Sequence, residues 1–270
     1  MKRIIILIAP LVLSQNLSGQ SFSYLNSETR LEERFVYNVS WTFIHIGTIT
    51  MTVERIISYP DLRKITLEIK TAPALPFVNI DEYNVAVMRI TDGMTMYFHG
   101  IEKQNDMDFL SQYYEDRNYC VYSEKNTKNG EQIKLDTLGI SQPFLVGTSL
   151  IQYARIIADS GLEKKIPTLL GGIFYPTIID YSGPAEFIDV DAYDKPISSF
   201  RYEGSAEWNG KATAGLSGEY TGWLSNDKSK VVLRAKMKIF IGSINIELEK
   251  WFKPGWIPPS NSDYFAGNKK

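Results

Sequence analysis

Apolar and polar residues alternate along most of this chain. Between residues 34 and 41, Phe35, Tyr37, Val39 and Trp41 share one face. Ile49, Met51 and Val53 do so between residues 48 and 53, and Ile65, Leu67 and Ile69 alternate with Thr66, Glu68 and Lys70. Tyr83, Val85 and Val87 make another set. A period of two marks β-strands, because successive side chains point to opposite faces. Residues 95–99, 108–114, 119–123 and 131–135 read as further, shorter strands.

The clearest alternation comes late. Val231, Leu233, Ala235, Met237 and Ile239 point one way, and Arg234, Lys236 and Lys238 the other. After Gly242, Ile244, Ile246 and Leu248 alternate with Asn245, Glu247 and Glu249. The two runs predict an antiparallel pair around Ile241, Gly242 and Ser243, with Lys236 or Lys238 facing Glu247 or Glu249.

One segment changes period. Leu145, Val146, Leu150, Tyr153, Ala154 and Ile157 fall at helical spacing. Pro143 suits a helix start and Gly161 a stop, which predicts one main amphipathic helix over about 144–158. Its apolar stripe is expected to pack on the sheet or plug a barrel mouth. Turn signals stand at 58–61, 129–130, 182–184, 209–210 and 225–227. The pattern predicts an all-β fold: a single antiparallel, curved or barrel-like sheet over residues 21–252. Residues 253–270 read as an extended C-terminal strap, with Trp251, Phe252, Trp256 and Ile257 gluing its first half to the body.

The first 20 residues carry a different signal. Lys2 and Arg3 precede an apolar run over residues 4–13, followed by a small, polar stretch up to Gln20. This is the layout of a secretory signal peptide, and the run is too short to span a bilayer, which takes roughly 20 apolar residues. Cleavage near Gly19 or Gln20 predicts an exported chain, periplasmic or secreted. With no cysteine near the cut, it is not expected to be lipid-anchored. Removing Lys2 and Arg3 takes the formal net charge from −2 to −4. That balance gives no reason to expect nucleic acid as a partner. No second apolar run reaches spanning length, so no transmembrane segment is expected in the mature chain. Cys120 is the single cysteine, which excludes an internal disulfide, and it reads as a small buried hydrophobe.

Candidate chemistry is sparse. His45 and His99 are the two histidines, fewer than the three or four convergent ligands a metal site usually needs. Asp189, Asp191 and Asp194 look superficially like a calcium loop, but the glycine and glutamate of an EF-hand are missing, and a polar hairpin tip closed by Lys195 and Pro196 fits better. Asp106 with Asp108, and Glu115 with Asp116, have the makings of an acid/base pair. Gly171 and Gly172 lack the following helix and basic residue of a phosphate loop, and read as a turn or bulge. No cofactor or metal is called for. The aromatic residues, 13% of the chain, either fill a barrel or line an apolar cavity within it.

Three stretches occur in a familiar order. LEERFVYNVSWTFIHIGTITMTVE carries Trp41 and the Gly47–Thr48 pair; FVNIDEYNVAVM follows; GEYTGWLSNDKSKVVLRAKMKIFIGSINIEL carries Gly222, Trp223, Asp227 and Gly242. Together they resemble the domain of unknown function 3108 family. The resemblance implies an exported bacterial envelope protein with an antiparallel, barrel-like fold, and it implies no catalytic residues. Residues 136–214 match it loosely, and strand order there stays open. The features favour a non-enzymatic envelope protein that binds a hydrophobic or amphipathic ligand, or an envelope protein partner. Two alternatives stand beside it: an envelope glycan or lipid hydrolase using clustered carboxylates with His99, and a structural or assembly factor working through strand edges or the strap.

Overall fold

The computed structural model describes residues 22–72, 79–207, 218–238 and 243–260. The first half is a run of strands, each hydrogen-bonded to the next: β1 (Thr29–Trp41), β2 (Ile44–Ile56), β3 (Leu62–Thr71), β4 (Asp81–Arg89), β5 (Thr95–Glu102), β6 (Met107–Tyr114), β7 (Tyr119–Asn126) and β8 (Gln132–Gly139). Helix α1 (Ser149–Ile157) interrupts the series. The second half holds β9 (Lys164–Leu170), β10 (Ile173–Asp180), β11 (Ala185–Val190), β12 (Tyr193–Ala206), β13 (Gly218–Ser225), β14 (Val232–Lys238) and β15 (Ser243–Phe252).

These strands form one antiparallel sheet in the order β8-β7-β6-β5-β4-β3-β2-β1-β15-β14-β13-β12-β10-β9, with β11 on β12. Laid flat at the usual strand spacing, that path would hold its two ends roughly 60 Å apart. Instead Lys134 Nζ of β8 donates to Gly171 O beside β9 at 2.6 Å. The sheet is therefore curled into a barrel-like shape with an unzipped seam between β8 and β9. Gly171 and Gly172 connect β9 to β10 with φ of 56° and 71°, the left-handed backbone that a two-residue hairpin turn requires.

Alternation marked β1 to β8, β14 and β15, and their inner face in most cases; β9 to β13 carried no expectation from it. Phe35, Tyr37 and Val39 are buried, as are Met51, Val53, Ile65 and Leu67. Trp41 shares their parity but lies at the exposed β1–β2 turn, next to Phe43, which is 91% exposed. β4 departs from expectation. Leu67 pairs with Asn84 and Ile65 with Ala86, so the inner face of β4 is Glu82, Asn84, Ala86 and Met88. Tyr83, Val85 and Val87 point outward. The segment before β1 makes part of that outer face apolar: Phe22 meets Tyr114 at 5.3 Å and Tyr24 meets Tyr59 at 6.1 Å between ring centroids.

β14 and β15 pair antiparallel, Ala235 opposite Ile246 and Met237 opposite Ile244. Lys236 faces Asn245, and the cross-strand ion pair is instead Arg234 with Glu247 at 2.7 Å. A bulge against β13 breaks strict alternation, so Val231, Val232 and Leu233 are all buried. Ile239 and Gly242 lie outside the described residues, as does the turn signal at 209–210.

The helix is shorter than its sequence pattern. Residues 144–146 are committed to strands: Thr95 N donates to Phe144 O, Leu145 N to Pro167 O, and Leu169 N to Leu145 O, at 2.8–3.0 Å. Those backbone groups are unavailable to a helix, and Gly147 at φ 51° turns the chain before α1 begins at Ser149. The stop is as expected, a 3-10 turn ending at Gly161 in the left-handed region. The apolar stripe of α1 packs on the main core, where Ala154 and Ala158 join Phe35, Tyr37 and Met51. After β15, Trp256 and Pro258 are buried, and Trp251 and Trp256 meet edge to face at 5.3 Å. Phe252 and Ile257 are exposed and contribute no glue.

Candidate functional site

Strand register alone assembles the most distinctive surface of the molecule. Residues directly opposite in a ladder point to the same side of the sheet. Tyr37 pairs with Ile49, Ile49 with Ile69, Ile69 with Glu82, and Glu82 with Glu102. One row thus carries three apolar side chains and two carboxylates around the inner wall. The next row carries Phe35, Met51, Leu67, Asn84, Gly100 and Phe109.

Between this wall and helix α1 lies an interior cavity of about 340 Å³. Leu150, Ile151 and Ala154 face it from the helix, Ile246 and Met237 from β15 and β14. The size lies near the lower end of small-molecule sites, and a mostly apolar lining with a few polar groups is their usual chemistry. Tyr202 and Tyr220 also line it. Burial pushes the Tyr202 phenol up to about 12, so it presents a neutral hydroxyl throughout the physiological range.

The polar groups of the cavity fall at two places. Glu82 is 2% exposed; it accepts from Gln104 Nε2 at 3.1 Å, and Asn84 Nδ2 is 3.5 Å away. Glu102 accepts from Asn105 Nδ2 at 2.8 Å. At the helix end, Thr148 lines the cavity just before α1, and its buried Oγ1 has no hydrogen-bond partner. The described lining contains no lysine or arginine. Lys134 stands at the seam beside it, engaged by Gly171 O and by Asp136 at 3.2 Å.

A second polar feature lies below the helix. Arg155 donates from Nη1 and Nη2 to the two carboxylate oxygens of Glu33, at 2.6 and 3.0 Å. It also donates to the carbonyls of Ser229 and Lys230 at 2.9 Å, and lies 5.4 Å from the Phe35 ring. Lys253 bonds the same carboxylate. Burial pushes the Glu33 carboxyl up, but the Arg155 and Lys253 contacts outweigh it and hold it below the ordinary range. One buried ion cluster thus ties β1, α1, the β13–β14 turn and the C-terminal segment together.

The residues singled out in sequence are dispersed. His45 Nδ1 bonds Asn38 Oδ1 on the exposed tip of β1 and β2. His99 and Asp108 do come together, Nε2 to Oδ2 at 3.1 Å, but on the outer face, because their strand neighbours Phe98 and Phe109 point inward. Asp106 lies in the following turn with Lys128 at 2.6 Å. Glu115 pairs with Arg89 at 2.6 Å and Asp116 is exposed beside Arg117. Asp189, Asp191 and Asp194 flank the β11–β12 hairpin tip, where Arg234 bonds the Asp189 carbonyl and Glu247 the Asp191 amide. Among the described residues, no three His, Cys, Asp or Glu side chains are grouped to hold a metal ion. Cys120 is buried beside Ser111, and burial pushes its thiol up to about 11, the opposite of a nucleophile's environment.

The motif positions have structural explanations. A Cβ on Gly47 would lie 2.5 Å from the Lys70 carbonyl oxygen, and one on Gly222 would enter the Tyr202 ring. Trp223 Nε1 donates to Glu186, at 2.5 Å. Asp227 Oδ1 accepts from Ser225 Oγ and Ser229 N, and its Oδ2 from Trp256 Nε1 at 2.8 Å, which fixes the turn and pins the C-terminal segment. Thr48 is half-buried on β2.

Sequence reasoning missed Glu33, Glu82, Glu102, Thr148 and Arg155. Glu33 carried a signal: the alternation of Phe35, Tyr37 and Val39 extended one step back lands on it.

No helix among the described residues is long and apolar enough to cross a membrane. A search of curated proteins returned no match. Among solved structures, the chain is similar to a β-barrel-like protein of domain of unknown function DUF1849 from Brucella abortus. The two superpose with a TM-score of 0.54 at 11% identity, over 82% of this chain and 97% of that one. That likeness is one of fold. The family described as protein of unknown function (DUF3108) matches residues 36–249, from the middle of β1 to nearly the end of β15, and the chain belongs to that family.

Proposed function

We propose that this is an exported envelope protein whose curled sheet holds a hydrophobic or amphipathic ligand in its interior. The observation that carries the reading is the cavity of about 340 Å³ left between α1 and the inner wall. Protein interiors are normally close-packed, and voids larger than a water molecule are few. The partnerless hydroxyl of Thr148 beside the cavity supports the same reading, because buried polar groups ordinarily have partners. The basic start, short apolar run and small polar stretch of residues 1–20 support export.

Protein purified from its own envelope and examined by native mass spectrometry, with lipid extraction of the same sample, tests the ligand. A bound species of defined mass that is lost on Ile151→Trp, which fills the cavity from the helix, is the expected result. A ligand-free mass together with unchanged stability in Ile151→Trp would reject it. Fusing residues 1–20 to a phosphatase active only after export tests the address, and an inactive fusion would reject it.

A further inference from the structure

We infer that the cavity takes its ligand as an acid, an apolar chain whose carboxylate sits at the start of α1 against Thr148. The inference rests on the ligand-binding reading above and adds the head group and its place.

Two observations carry it. The first is the hydroxyl of Thr148. The residue is 2% exposed, and its Oγ1 has no hydrogen-bond partner. Both usual local partners are denied to it. A threonine that caps a helix holds a non-helical backbone and accepts from an N–H of the first turn. Thr148 is already helical, at φ −65° and ψ −19°, and makes no such bond. Within a helix the hydroxyl donates instead to the carbonyl three or four residues back. Here those are Leu145 and Phe144, and each already accepts a backbone bond, from Leu169 N and Thr95 N. The side chain is left with the cavity that it lines.

The second observation is the helix itself. α1 has nine residues and no acidic side chain in its first turn. A helix N-terminus carries partial positive charge and N–H groups without intrahelical partners, which together favour an anion. Among the described residues, the N–H groups of Gly147 and Thr148 have no hydrogen-bond partner. One hydroxyl and two N–H groups thus stand at the helix end of the cavity, three donors without an acceptor. The described lining holds no lysine or arginine, but hydrogen bonds to the ionised form are enough to favour a carboxylate.

The rest of the cavity suits the rest of such a molecule. Ile49, Met51, Leu67 and Ile246 give the chain an apolar wall. Glu102 stands away from the helix end. Phe98, which packs over Gly147, lies four residues before it on β5, or about 13 Å at the usual rise per residue. A carboxylate placed there would meet a like charge, so the acid has one favoured direction. An ammonium head at Thr148 has only donors to offer and would leave the N–H groups unmet.

The test uses the delipidated full mature chain and three probes that share one tail: dodecanoate, dodecanol and dodecylamine, each below its aggregation concentration, titrated calorimetrically near neutral pH. The expected order of affinity is acid, then alcohol, then amine. Thr148→Val keeps the shape and removes the hydroxyl. It should weaken dodecanoate about tenfold, the worth of one hydrogen bond to a charged group, and leave the amine unchanged. Without ligand this variant should melt at or above the temperature of the parent, because a buried hydroxyl with no partner is gone. Thr148→Ser retains the hydroxyl and should retain the order. A lower melting temperature with unchanged binding in Thr148→Val would make the threonine structural and overturn the assignment. Equal binding of the three probes, or a preference for the alcohol or the amine, would also overturn it and leave the cavity reading intact. Binding of none of the three would overturn both.

Discussion

Arg155 and Glu33 meet fork to fork inside the protein, although 122 positions separate them in the chain. The pair joins helix α1 to strand β1, and Lys253 closes on it from beyond β15. α1 is a nine-residue helix with no side-chain cap at its start. Isolated helices of that length are marginal in water. Its place therefore depends on the core beneath it and on this cluster.

Removing one partner should cost more than removing both. Arg155→Met leaves the Glu33 carboxylate buried with Lys253 alone, and a loss of about 3 kcal/mol in urea unfolding is expected. Glu33→Gln should cost less, and the double variant should be more stable than the sum of the two losses predicts. Strict additivity would show that the contact contributes nothing.

The cluster also sets an acid limit. Glu33 is held below its ordinary value of 4.5, because the Arg155 and Lys253 contacts outweigh the upward push of burial. A carboxyl with a lowered folded pKa contributes stability that is complete above the unfolded value and is lost as pH falls through the folded one. Unfolding midpoints measured downward from pH 5 should therefore fall less steeply in Glu33→Gln than in the parent. Parallel curves would contradict the assignment.

The register of the final strands has a direct check. Leu233 is buried and Lys236 is exposed on β14. Leu233→Asp buries an unpaired carboxylate and should destabilise the fold by about 3 kcal/mol or more, whereas Lys236→Asp should change it by less than about 0.5 kcal/mol. Comparable losses in denaturation midpoint would show the register to be wrong.

Gly47 should tolerate no side chain. A Cβ there meets backbone of β3, the Lys70 carbonyl oxygen and the Thr71 Cα, and neither can swing aside as a side chain would. Gly47→Ala is expected to cost about 1–3 kcal/mol by thermal or urea unfolding. Gly139→Ala, with nothing within 4 Å of the new methyl group, is the control and should be near neutral.

What was readable in the sequence follows from what alternation can encode. It located β1 to β8, the β14–β15 pair and the turns at 58–61, 129–130, 182–184 and 225–227, because one face of each of those strands meets the core and the other meets water; it did not pick out β9 to β13. It could not locate Glu82 or Glu102. A carboxylate among apolar neighbours reads as the wet face, and only the register with β3 shows that the apolar Tyr83, Val85 and Val87 are the outer set. Arg155 was hidden similarly: within α1 it reads as part of a solvated stripe, and its partner lies in another part of the chain. The helix start was misplaced because residues 144–146 have helical spacing but spend their backbone groups on β5 and β9. Side-chain periodicity carries no record of backbone partners so distant in sequence.

The order of strands places a demand on folding. β1 pairs with β15 near the middle of the sheet, and the two arcs on either side, β2 to β8 and β14 back to β9, consist largely of hairpins between neighbours in sequence. Each arc can zip locally, and its contacts are close along the chain. The ladder from Arg34–Phe252 to Trp41–Ile244 cannot, since it closes a loop of roughly two hundred residues. It is the step that must await the arrival of the last strand, and the slow, long-range event in assembly. Deleting β15 would therefore not trim an edge; it would leave two half-sheets, each with a raw strand exposed where the centre had been.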